Sequence, residues 1–270
     1  MKLRQGDLTQ GGITSTLLRF TLPMMVGAFL QQCYNIADTL IVGQCIGADA
    51  LAALMIFLIS VLLGLSMGSG TVFSLQYGAG DQSALRRSIF VSFVLIGTVT
   101  LVLNVAVFFW LDPILRLLQV PQDIYGMMRS YLWIIFWGIA FTFIYNFYAA
   151  LLRAVGDSVT PLWFLSISVV LNIVLDLFFI LQLDWGIEGA AIATIIAQGI
   201  SALGIAAYTY MQRPELRLHS ADIHFDRTCL KEITSFSLLT CVQQSVMNFG
   251  ILMIQGLVNS FGTAVMAAFA

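Results

Sequence analysis

Apolar positions run almost continuously along this chain, and charged residues interrupt them at regular intervals. Runs of about 20 residues or more lie at Leu17 to Val42, at Ala50 to Gln76, between Arg87 and Asp112, and between Arg129 and Arg153. Further runs lie between Asp157 and Asp184, between Glu188 and Arg213, and after Glu232. A helix needs about 20 residues at 1.5 Å each to cross about 30 Å of hydrocarbon, so each run is long enough to span a bilayer. Only helices and closed barrels satisfy their backbone groups in lipid, and uninterrupted runs of this length predict helices. The expected fold class is an all-α polytopic membrane protein.

Composition agrees with the pattern. Apolar residues make up 59% of the chain, charged residues 10%, and the mean hydropathy is +0.93. A soluble domain carries about 25% charged residues. The net charge of -2 offers no basis for a nucleic-acid partner. The four cysteines, Cys33, Cys45, Cys229 and Cys241, lack metal-ligand spacing and predict neither a zinc site nor a disulfide framework. The first apolar run is too long for a cleaved signal peptide and reads as a retained spanning helix.

The loops predict orientation. One set of connections holds Lys2, Arg4, Arg86, Arg87, Arg153, Arg213, Arg217, Arg227 and Lys231, whereas the opposite set holds only Arg116 and Arg129. This bias places the N-terminus on the cytoplasmic side of the membrane. Six spans return the chain to the same side, giving an N-terminal lobe over residues 1–212 and a cytoplasmic linker over 213–232. Residues 233–270 then read as the start of a second lobe, one helix and the beginning of another. "LQQCYNIADTLIVGQCIGADALAAL" (Leu30 to Leu54) is echoed by "VQQSVMNFGILMIQGLVNSFGTAVMAAF" (Val242 to Phe269). Gln31-Gln32 answers Gln243-Gln244, as expected for parallel six-helix repeats. On this reading the sequence is a truncated form of a longer protein.

Two acidic residues fall well within spans, Asp38 and Asp176. Each costs about 2.5–3.5 kcal/mol at a helix centre, so each calls for a function. Tyr34 precedes Asp38 by four residues and Asn172 precedes Asp176 by four, placing each pair on one helical face. Carboxylates beside neutral oxygen donors, with no nearby Lys or Arg in their own spans, suit a proton relay or a small hard cation. Other readings stand beside this one: Asp38 at the outer interface, Asn172 as a structural hydrogen-bonding group, Thr194 bonded to its own helix backbone, and Tyr34 on an ordinary packed face. "GAGD" (Gly78 to Asp81) fits the GxGD pattern of intramembrane aspartyl proteases, but no Tyr-Asp dipeptide supplies a second catalytic carboxylate. No GxxxxGK[ST] occurs, and His219 and His224 both lie in the linker. No enzymatic activity and no cofactor are expected. Pro23, inside the first run, predicts a bend there.

"ADTLIVGQCIGADALAAL", "QYGAGD", "LLRAVGDSVTPLW", "LNIVLDLFFI" and "GIEGAAIATIIAQ" resemble, in this order, the multidrug and toxic compound extrusion (MATE) transporters. The resemblance implies twelve helices in two six-helix lobes and export of small organic compounds in exchange for H⁺ or Na⁺. It implies a coupling-cation site in the first lobe formed by Asp38, Asn172, Asp176, Thr194 and Tyr34. Pro23 falls on a first-helix proline whose kink accompanies ion exchange in some members. Gly250 stands where the second repeat would align with Asp38, which confines the ion chemistry to the first lobe. The expected partners are the organic substrate, the coupling cation and the lipid bilayer, with the protein acting as a monomer. The alternatives are a flippase for lipid-linked precursors and a non-transporting membrane receptor or scaffold.

Overall fold

The computed structural model describes residues 13–42, 49–117, 122–219 and 222–260; within these, the side chains of 33–42, 49–57, 117, 123–124, 252 and 255–260 are not described. The fold is all-helical among the described residues. The helices are α1 (Ile13–Val42), α2 (Asp49–Gly78), α3 (Gln82–Leu117), α4 (Gln122–Trp137), α5 (Ile139–Ala154), α6 (Val159–Leu181), α7 (Gly186–Gln212) and α8 (Arg227–Ser260). A single 3₁₀ turn, Pro214–Leu216, follows α7.

Six stretches among the described residues are long and apolar enough to cross a membrane: Ile13–Gln32, Leu58–Gly78, Gln82–Arg116, Tyr125–Ala154, Val159–Leu181 and Gly186–Gln212. They follow the first six apolar runs of the sequence. The seventh run is helical as α8 but is not among the six. Helix α1 continues through Pro23 from Ile13 to Val42.

The fourth run differs from expectation, being two helices rather than one. The Gly138 N–H bonds back to Ile135 O at 2.8 Å, three residues away, and α4 and α5 meet at this break. A β-carbon at residue 138 would stand 3.0 Å from Ile135 O and 3.2 Å from Gln198 Oε1 on α7. The glycine therefore marks a close approach between helices that a larger residue would obstruct.

The core lies between α2, α3, α4 and α5, where Leu62, Phe73, Leu85, Ile96, Leu132, Phe136 and Phe147 are buried. Large apolar side chains also cover the surface, Phe109 and Trp110 among them. Surfaces of this kind suit lipid, where apolar exposure carries no penalty.

Of the linker read from sequence over 213–232, residues from Arg227 onward belong to α8, and Arg213 and Asp222 are tied to the helices. Arg213 Nη2 lies 3.2 Å from Asp157 Oδ2, and Arg86 Nε lies 3.0 Å from Asp222 Oδ2. Asp81 of "GAGD" accepts the Ala84 N–H at 2.9 Å and the Ser83 hydroxyl at 2.9 Å, which makes it the cap of α3.

Candidate functional site

Helix α6 is inverted relative to the amphipathic helix of a soluble protein. Val170, Val174 and Leu177 are 63%, 55% and 51% exposed, whereas Asn172 and Asp176 are 2% and 1% exposed. Val169, Asn172 and Asp176 fall three and four residues apart, which brings them onto one face. Only a helix with lipid on one side and protein on the other gains by burying its polar residues.

The face of α7 that receives them is built from small residues: Gly189, Ala190, Ala193, Thr194, Ala197 and Ser201 are all buried. Such residues let two helix backbones come close. Asn172 Nδ2 donates to Thr194 Oγ1 at 3.2 Å. About two turns from that bond, Ser201 Oγ donates to the Phe164 carbonyl, a second side-chain bond between the same two helices. Thr194 is thus bonded across the interface to α6. Three of the residues predicted for the site, Asn172, Asp176 and Thr194, lie on the buried faces that α6 and α7 present.

The side chains of Tyr34 and Asp38 lie outside the described residues. Their helix, however, runs alongside α6. Ser158 Oγ donates to Phe20 O at 2.9 Å, and a β-carbon on Gly27 would lie 3.6 Å from Leu162 and 3.9 Å from Leu165. Both contacts advance in the same direction along the two helices, so α1 and α6 are parallel here.

Sequence reasoning did not identify two polar neighbours of this site. Gln198 follows Thr194 by one turn on α7, and its Oε1 lies 3.2 Å from Thr142 Oγ1 on α5. Asn146 Nδ2 in turn donates to Thr142 O at 2.8 Å. The four-residue spacing of Thr194 and Gln198 is a signal visible in sequence; the Thr142 partner, from another helix, is not.

Residues 23–178 match the family model described as MatE. The chain belongs to the multidrug and toxic compound extrusion (MATE) family. It is 34% identical over 269 residues to the probable multidrug resistance protein YpnP of Bacillus subtilis (strain 168), covering 97% of this chain and 60% of the relative. It is 26% identical over 267 residues to the multidrug export protein MepA of Staphylococcus aureus (strain bovine RF122 / ET3-1), covering 95% of this chain and 58% of MepA. The fold superposes on the MATE transporter VcmN of Vibrio cholerae in its bent form with a TM-score of 0.81 and 25% identity, over 94% of this chain and 59% of VcmN. This MATE chain therefore spans about three fifths of the length of these relatives. The matched segment contains Pro23, Tyr34, Asp38, Asn172 and Asp176, and ends before Thr194.

Proposed function

We propose that this MATE protein is a secondary active antiporter that exports organic compounds in exchange for H⁺ or Na⁺ by alternating access. Residues 1–212 form the lobe that holds the coupling cation, 213–232 form a cytoplasmic linker, and 233–270 open a second lobe. The protein acts as a monomer in the cytoplasmic membrane, with its N-terminus inside, and catalyses no covalent chemistry. The relatives named for multidrug resistance and export support this reading.

The observation that carries it is the inverted face of α6, which buries Asn172 and Asp176 and bonds Asn172 to α7, while its apolar residues lie exposed. Register adds Asp38. Leu165 lies beside Gly27, and Asp176 and Asp38 each follow eleven residues later on parallel helices. At 1.5 Å per residue both positions rise by about 16 Å, and since Leu162 also lies beside Gly27 the two positions stand within about one turn of the same level. Asp176 and Asp38 bind the cation in this reading, assisted by oxygens of Asn172, Thr194 and Tyr34, while Pro23 lets α1 bend as the ion exchanges.

Coupling requires the site to bind its ion with different affinity in the two arrangements of the protein, because equal affinity shifts no equilibrium. The test is tryptophan fluorescence of the purified chain during Na⁺ and pH titrations performed separately. Asp176→Asn is expected to abolish the response to the coupling ion without lowering the helix content. An unchanged response in that variant overturns the assignment. Dye efflux from proteoliposomes under imposed Na⁺ or pH gradients then identifies the ion that drives transport.

A further inference from the structure

Thr194 also faces a cavity. A space of ≈ 70 Å³ is lined by Leu62, Ile135, Ile139, Thr142, Thr194 and Gln198, among others. It lies where α2 and α7 meet the break between α4 and α5.

The polar groups of its wall need more partners than they give one another. Thr142 Oγ1 lies 3.1 Å from Gly138 O and 3.2 Å from Gln198 Oε1. One hydroxyl has a single proton and cannot donate to both carbonyl oxygens. If the Gln198 amide is turned so that its nitrogen donates to Thr142, its carbonyl is left to find another donor. A water needs about 10–15 Å³ of such space and two to four polar partners. The cavity exceeds that volume several times over, and Thr142, Thr194 and Gln198 supply the partners.

We infer that this cavity is a hydration chamber of the coupling site, in which water bridges Gln198 and Thr142 to Thr194. Gln198 and Thr142 position the water, and Gly138 admits Gln198 to the break between the helices. The water gives a departing cation replacement ligands, or gives a proton a hydrogen-bonded route, beside the coupling site. The functional part of the inference rests on Asn172, Asp176 and Thr194 being the coupling site; the hydration does not.

Hydroxyl-radical footprinting by X-ray radiolysis of the whole chain in lipid nanodiscs tests it, because buried side chains are oxidised where water lies next to them. Leu62 and Leu132 are the matched pair, 1% and 0% exposed, and only Leu62 lines the chamber. Leu62 is expected to oxidise several times faster than Leu132. Thr142→Val combined with Gln198→Leu is expected to bring Leu62 down to the Leu132 rate. Equal rates in the unaltered chain, or a Leu62 rate indifferent to the double substitution, overturn the proposal. The comparison within the unaltered chain stands even if the double variant does not fold. The footprint and the ion titrations of the unaltered chain together separate the two readings. A wet chamber in a chain that ignores Na⁺ and pH overturns the coupling site alone. A dry chamber in a chain that responds to either ion overturns the hydration alone.

Discussion

Asn172 on α6 donates to Thr194 on α7 across 3.2 Å, and both side chains are buried. Thr194→Val keeps the shape of the side chain and removes the acceptor, leaving the Asn172 amide short of a partner. An unsatisfied buried polar group costs about 1–3 kcal/mol, whereas interhelical hydrogen bonds in membranes average about 0.6 kcal/mol, so the orphaned amide decides the size of the loss. Thermal unfolding in detergent should show Thr194→Val less stable and Thr194→Ser close to the unaltered chain. A Thr194→Val protein that melts with the unaltered chain would show that the bond contributes nothing to the fold.

Helix α8 is pressed against α2 so closely that no β-carbon fits on Gly64 or Gly68. One placed on Gly68 would overlap Ser237 Cα, and one on Gly64 would stand 2.6 Å from Cys241 Cα. Ser237 Oγ and Cys241 Sγ donate to the Leu65 and Val61 carbonyls at 3.2 and 3.4 Å. The obstructing atoms are backbone, which cannot rotate aside, so Gly68→Ala must move α8 as a whole. Overpacking of this kind costs about 1–3 kcal/mol. Maleimide labelling located by peptide mass spectrometry should show Cys241 reacting faster in Gly68→Ala. Gly78→Ala, where nothing lies within 4 Å of the added carbon, should leave the rate unchanged.

Two ion pairs at the ends of the helices differ in burial and should differ in worth. The Asp157 side chain is fully buried; it accepts from Arg213 Nη2 at 3.2 Å, from the Thr160 N–H at 3.0 Å and from the Thr160 hydroxyl at 2.8 Å. Arg87 and Asp226, 3.7 Å apart, are each about one third exposed. Removing one partner of a buried pair costs about 3–5 kcal/mol, while an exposed pair contributes about 0–1 kcal/mol. Arg213→Gln should therefore lower the melting temperature well below that of Arg87→Gln. The Thr160 donors hold the loss toward the lower end of the range. Equal shifts for the two variants would refute the ranking.

What could be read from the sequence was whatever one helix determines by itself. The Asn172–Asp176 face follows from a four-residue spacing, and the structure buries both residues. The break at Gly138 had no local signal, because a glycine in an apolar run carries no proline or charge to announce an end. The helix parts there against Gln198, sixty residues later. Gly64 and Gly68 suggest a close approach to something, yet only the fold reveals that Ser237 and Cys241 are what approaches. Thr142 is one hydroxyl among many along the spans until α7 brings Gln198 beside it. Contacts between helices carry no period that a single sequence can display, and the Asn172–Thr194 and Thr142–Gln198 pairs are such contacts.

Asp222 ties the segment after α7 to the start of α3, and acid should release it. Its carboxylate accepts the His219 N–H at 2.9 Å and lies 3.0 Å from Arg86 Nε. The His219 backbone bond first, and then the charge of Arg86, hold its carboxyl below the ordinary value of 3.8. A carboxyl whose pKa is lower in the folded state stabilises that state above the unfolded value. The contribution is lost as pH falls below 3.8 and through the folded value, when the carboxylate takes up its proton. A nitroxide attached at Ile223→Cys reports on the segment beside it. Its spectrum should show restricted motion at neutral pH and greater mobility as the pH is taken below 3.8. Asp222→Asn, which cannot carry the charge, should be mobile at every pH. A label equally restricted in both proteins at neutral pH would mean that the backbone of the segment, and not the Asp222 carboxylate, holds it against α3.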